Sequence, residues 1–120
     1  MRADDVRIEH PNTGAVVVVL MGEHDVSTSP RLESLLASLL AEHGLVVVDV
    51  SEVEFLDSSV INGLVDAKRA ASEQRHPCEF RVQVGTEAIV HRILEITGVL
   101  DLLECAPTRE LALDGHPSTG

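Results

Sequence analysis

The sequence predicts a single α/β domain with a mixed sheet, and three observations carry that expectation. Short apolar segments with the alternation or continuity of strands recur at 6–10, 15–21, 45–50, 78–84 and 99–105. Between the later ones stand segments whose apolar residues repeat at helical spacing. No Pro/Gly-rich linker or internal repeat divides the 120 residues, and a chain of this length can bury about two-thirds of the surface it exposes when unfolded. The expected order is β-β-α-β-α-β-α-β-α, with four to five strands and about four helices. The domain spans 1–113, and 114–120, rich in Gly, Pro, Ser and Thr, is a flexible tail.

Val6 to His10 forms the first strand in this reading. Pro11-Asn12-Thr13-Gly14 is a turn signal, because Pro, Asn and Gly supply the special backbone angles of a hairpin into Ala15 to Met21. Ser29-Pro30 offers a side-chain N-cap followed by Pro at the first helical position, where a missing N–H costs nothing. Leu32, Leu35, Leu36, Leu39 and Leu40 then make one apolar stripe, and Gly44 suits the C-terminal cap. Leu45 to Val50 is β-branched and nearly continuous, the pattern of a central strand covered on both faces.

From Asp57 the second helix places Val60, Ile61, Leu64, Val65 and Ala71 on its buried side, with Ser58, Asn62, Asp66, Arg69 and Glu73 facing solvent. His76-Pro77 ends it. Cys78, Phe80, Val82 and Val84 alternate with Glu79, Arg81 and Gln83, as in a strand with unequal faces. Gly85-Thr86 leads to a third helix with Ile89, Val90, Ile93 and Leu94 inward and Gly98 as its stop. A short strand within Val99 to Cys105 follows, and Thr108 caps a last helix over Arg109 to Leu113.

Composition narrows the function. A net charge of -11 with nine Lys and Arg excludes a nucleic-acid surface and disfavours anionic lipid. No apolar run approaches the roughly 20 residues that span a bilayer, and Met1-Arg2-Ala3-Asp4-Asp5 is too polar to open a signal peptide, so a cytoplasmic location is expected. Cys78 and Cys105 lie in separate apolar segments with no metal spacing, which reads as two buried reduced thiols and no metal or other cofactor. His24 reads as a surface loop histidine, and His43, His76 and His91 as exposed polar residues.

The densest run of chemically capable residues is Asp49, Glu52, Glu54, Asp57, Ser58 and Ser59, where a central strand ends and a helix begins. In α/β sheets this end meets ligands and partners. Asp57 is explained completely as an N-cap. Ser58, the first helical residue, points its hydroxyl outward at the helix mouth. A phosphate there meets the unsatisfied N–H groups of the helix start and adds a charge of about -1.5 to -2 beside Glu52, Glu54 and Asp57. Ser59 is the alternative acceptor, turned roughly 100° toward the buried side and toward a local partner.

The stretch Val48-Asp49-Val50-Ser51-Glu52-Val53-Glu54-Phe55-Leu56-Asp57-Ser58-Ser59 resembles the signature of STAS domains, the family of bacterial anti-sigma factor antagonists. Gly22-Glu23-His24-Asp25 resembles the family's Gly-Glu-Leu-Asp element, and Ile93-Leu94-Glu95-Ile96-Thr97-Gly98-Val99-Leu100 its closing stretch. The resemblance runs from about Val6 to Leu113. It departs at Val60, where a small residue is usual, and a β-branched side chain there can serve the core of the helix.

The resemblance implies a protein that, unphosphorylated, binds an anti-sigma factor and frees a sigma factor. That partner is a serine kinase of GHKL ATPase type, which phosphorylates Ser58, and a serine phosphatase reverses the switch. The partner-binding set so implied is Glu23, His24, Asp25, Glu54, Asp57, Ser58, Ser59, Asn62, Asp66 and Arg69, on a monomer or weak dimer. An alternative within the family is an unphosphorylated accessory or scaffold subunit of a transporter or signalling complex. An enzyme reading, with Ser58 as nucleophile and His24 and Asp25 as helpers, lacks the GxSxG elbow, and no GxxxxGK[ST] loop is present. The chain is expected to be a substrate of phosphoryl transfer and not its catalyst.

Overall fold

In the computed structural model the described residues are 6–12, 14–24, 27–76, 78–85, 103 and 105–113. They form a five-stranded sheet in the order β1-β2-β3-β4-β5, made of β1 (Val6–Asn12), β2 (Ala15–His24), β3 (Leu45–Leu56), β4 (Glu79–Gln83) and β5 (Cys105–Ala106). β1 pairs antiparallel with β2 through the hairpin, and the remaining neighbours are parallel, so the sheet is mixed as expected. The helices are α1 (Ser29–Glu42), α2 (Ser58–Ser72) and α3 (Arg109–Leu113). The helix expected between Thr86 and Gly98, and most of the segment from Val99 to Glu104, lie outside the described residues, as do Asp25 and His91.

Both faces of the central strands are covered, which is why their sequences run apolar without a polar phase. Val16, Val18, Leu20, Val46, Val48, Val50, Phe80 and Val82 pack against Leu32, Leu36, Leu39 and Leu40 of α1 and Val60, Ile61, Leu64 and Ala71 of α2. Ala15, Val17, Val19, Leu45 and Val47 point to the other face, where Ala106 and Ala112 join them. Val60 is fully buried, so its β-branched side chain is core material.

Several local expectations change. The hairpin turn is tighter than the Pro-Asn-Thr-Gly signal suggests: β1 continues through Pro11 to Asn12, and Gly14 supplies the left-handed angle, φ 87°. The N-cap of α1 is Thr28, not Ser29, and its side chain makes no capping bond. Ser29 and Pro30 are the first helical residues. The C-cap is His43 in extended conformation, and Gly44 serves instead as a sheet entry whose N–H donates to the Gly14 carbonyl at 2.9 Å. The two thiols are half-buried, not buried.

β4 has no solvent face. Arg81 and Gln83 are both buried, and the last turn of α3 closes over Arg81. The Arg81 guanidinium donates from one Nη to the Ala112 carbonyl at 2.8 Å and from the other to Glu79 Oε2 at 2.6 Å. A carbonyl in the last turn of a helix has no intrahelical donor, so the buried cation is satisfied by closing that helix end. At the other end of α3 the expected cap forms, with the Leu111 N–H donating to Thr108 Oγ1 at 3.2 Å.

Candidate functional site

Two bulges build the working end of the sheet. Val19 and Met21 of β2 pair with Asp49 and Glu52 of β3, and Gly22 and Glu23 pair with Val53 and Phe55, so β3 carries an extra residue at each step. A bulge breaks the alternation of faces and re-aims the side chains beyond it. Val53 and Leu56 stay buried while Glu52, Glu54 and Phe55 emerge into solvent. β3 is thereby twice the length that its apolar run suggests, and it delivers the chain directly to Asp57.

Asp57 is extended, φ -96° and ψ 175°, and caps α2. Its Oδ1 accepts from the Ser59 N–H at 3.0 Å, the Val60 N–H at 3.3 Å and the Ser59 hydroxyl at 2.6 Å. The Asp57 N–H donates to the His24 carbonyl at 3.2 Å, which ties the turn to the end of β2. The segment Gly22 to His24 therefore lies beside the turn, although as strand and not as loop. Ser29 of α1 adds a long contact of 3.4 Å from its hydroxyl to the Ser59 carbonyl.

The two serines differ as a result. Ser58 is exposed, whereas Ser59 is half-buried with its hydroxyl engaged by the capping carboxylate. Two of the first helical N–H groups, those of Ser59 and Val60, are already committed to Asp57. An anion at Ser58 would compete with that carboxylate for them, with exposed Glu23 and Glu54 on the adjoining strand ends and no compensating base among these residues.

Glu23, Glu54, Ser58, Asn62, Asp66 and Arg69 are all exposed, and Ser58, Asn62, Asp66 and Arg69 share one face of α2. Asp66 and Arg69 pair at 3.6 Å, a solvated contact worth a few tenths of a kcal/mol. Asp66 also lines, with Glu33, a mostly apolar groove of about 230 Å³ between α1 and α2.

His24 departs from its surface reading. It is fully buried at the end of β2, its Nε2 lies 3.0 Å from the Met21 carbonyl, and its Nδ1 has no hydrogen-bond partner among the described residues. Its contact with the turn is the backbone carbonyl that accepts the Asp57 N–H. Asp49 also leaves the surface. It is 3% exposed, accepts from the Ser51 N–H and hydroxyl, and lies 3.6 Å from Arg109.

Phe55 is the residue that the sequence reading passed over. Period-two alternation with Val53 would bury it, and only the bulge at Glu54 turns it out. The available signal was its company, an aromatic between Glu54 and the Asp-Ser-Ser turn.

A family model described as the STAS domain matches residues 7–112. The chain belongs to the STAS domain family. The anti-sigma-B factor antagonist of Listeria monocytogenes is 26% identical over 100 residues, covering 82% of this chain and 85% of that one. The crystal structure of an anti-sigma factor antagonist from Mycobacterium paratuberculosis superposes with a TM-score of 0.75 at 29% identity, over 93% of this chain and 92% of the other. A Thermotoga maritima crystal structure matches with a TM-score of 0.79 at 15% identity, over 93% and 94% of the two chains, a likeness of fold. In this STAS domain no described helix is long and apolar enough to cross a membrane.

Proposed function

We propose that this STAS domain is an anti-sigma factor antagonist switched by phosphorylation of Ser58. Unphosphorylated, it binds an anti-sigma factor of GHKL serine-kinase type and frees a sigma factor. With phosphate on Ser58 it lets the partner go, and a serine phosphatase restores it. The relatives named as antagonists of anti-sigma factors support the role, and one observation supports the site: Ser58 is exposed at the mouth of α2 while the neighbouring Ser59 hydroxyl donates to Asp57 Oδ1 at 2.6 Å.

An engaged, half-buried hydroxyl is hard for a kinase to reach, and an exposed one at a helix start is accessible. The added charge falls among Glu23, Glu54 and Asp57, so it changes the surface from neutral hydroxyl to concentrated anion without entering the core. Binding responds more than folding. Glu23 and Glu54, exposed at that end of the sheet, and Asn62, Asp66 and Arg69, exposed on the Ser58 face of α2, are assigned to the partner surface, with Asp25 assigned to it by analogy alone.

The test is to incubate wild type, Ser58→Ala and Ser59→Ala with a purified GHKL-type kinase from the same genome and ATP, then locate phosphate by mass spectrometry. Modification of wild type and Ser59→Ala at Ser58, with none on Ser58→Ala, supports the reading. Phosphate on Ser59 of the wild type overturns it.

A further inference from the structure

The fold treats its two phenylalanines oppositely. Phe80 is fully buried in the core beneath α1 and α2, and Phe55 is 50% exposed, two residues before Asp57. Isolated apolar side chains on a surface are ordinary, and Ile8 at 42% and Leu111 at 54% are of that kind. Ile8 lies on the edge strand opposite Val18, and Leu111 lies on α3. Phe55 stands elsewhere: it pairs across the strands with exposed Glu23, adjoins exposed Glu54, and precedes exposed Ser58 by three residues.

Its exposure is also imposed by backbone geometry. Without the extra residue at Glu54, alternation from buried Val53 would carry Phe55 inward. The bulge thus presents a large rigid apolar side chain at the same end of the sheet as the hydroxyl that the switch uses, three residues before it in the chain. Aromatic residues at such positions are typical anchors of an interface, with polar residues around them as the rim. Here the rim is acidic, since Glu23, Glu52 and Glu54 are all exposed.

We propose that Phe55 is the apolar anchor of the surface that meets the anti-sigma factor, and that the partner receives it in an apolar pocket rimmed by Lys or Arg. This inference rests on the function proposed above and adds the chemistry of the contact. The carboxylates complement a basic rim and steer encounter, while the ring supplies the desolvated centre. Phosphate on Ser58 then places a strongly hydrated anion at the same end of the sheet as a side chain that must lose its water to bind, and the cost of desolvating that anion opposes docking.

The experiment measures binding of a purified GHKL-type anti-sigma factor from the same genome to wild type, Phe55→Ala, Phe55→Leu, Ile8→Ala and Ser58→Asp, by calorimetry. Thermal unfolding of each variant serves as the folding check. Phe55→Ala is expected to weaken binding by about tenfold or more, and Phe55→Leu by less, while Ile8→Ala binds as wild type does. Wild-type affinity in Phe55→Ala, together with loss of binding in Ser58→Asp, overturns the anchor and leaves the switch standing. Failure of wild type to bind overturns both.

Discussion

The hydroxyl of Ser59 donates to Oδ1 of Asp57 at 2.6 Å, and the same oxygen accepts the Ser59 and Val60 N–H groups. One carboxylate oxygen thus caps the helix and engages the Ser59 hydroxyl. Replacing Asp57 removes both effects. Asp57→Ala is expected to lower stability by about 0.5–2 kcal/mol in urea unfolding, and to make Ser59 a measurable phosphoacceptor beside Ser58 in the kinase assay. Ser58→Ala, at an exposed position outside the cap, changes stability by no more than about 0.5 kcal/mol.

Gly85 tests how closely β4 leaves the sheet beside β3. Its φ is 76°, and a Cβ there would stand 2.6 Å from the Cβ of Ser51, which itself donates to buried Asp49. Both the angle and the space exclude a side chain. Gly85→Ala is expected to destabilise the domain by more than about 1 kcal/mol, read from the urea midpoint.

Arg109 pairs with Glu9 across 100 residues of sequence, linking α3 to the edge strand, and its second arm lies 3.6 Å from Asp49. The hydrogen bond from Arg109 is the largest cause holding the Glu9 carboxyl below its ordinary range, opposed by burial and assisted by Arg7. A carboxyl with a lowered folded pKa adds stability above its unfolded pKa of about 4.3 and loses it as pH falls through the folded value. Stability is therefore expected to fall on acidification below about pH 4.3, more steeply in wild type than in Glu9→Gln. Urea unfolding at a series of pH values measures the slopes.

Both thiols are predicted to react slowly. Burial pushes Cys105 up to about 11, and burial with the neighbouring Glu79 carboxylate raises Cys78. Since the thiolate is the nucleophile, alkylation of the native protein near neutral pH is expected to be far slower than after denaturation. Timed iodoacetamide labelling with mass readout separates the two sites.

Much of this was legible in the residues themselves. Patterning located the described strands, the two long described helices and the outward stripe Ser58-Asn62-Asp66-Arg69, because burial on one helix face leaves a period that a sequence can show. Asp57 was readable as a cap and Thr108 as another, since capping is local chemistry. What was not legible depended on distant packing. Arg81 looks like part of a solvent face until α3 closes over it, and His24 looks like a loop residue until β2 is extended beside β3. Phe55 was hidden for the same reason, because nothing local signals a bulge at Glu54.

The central claim is that one phosphate on Ser58 releases the partner. The most direct measurement compares anti-sigma factor binding by the unphosphorylated protein with binding by the same protein carrying phosphoserine at position 58, its site and stoichiometry verified by mass spectrometry and its fold by circular dichroism. The account predicts unchanged folding and a loss of affinity of about tenfold or more, as expected when a bulky, strongly hydrated phosphate must be desolvated at a contact fitted to a neutral hydroxyl. Equal affinity of the two forms would contradict it.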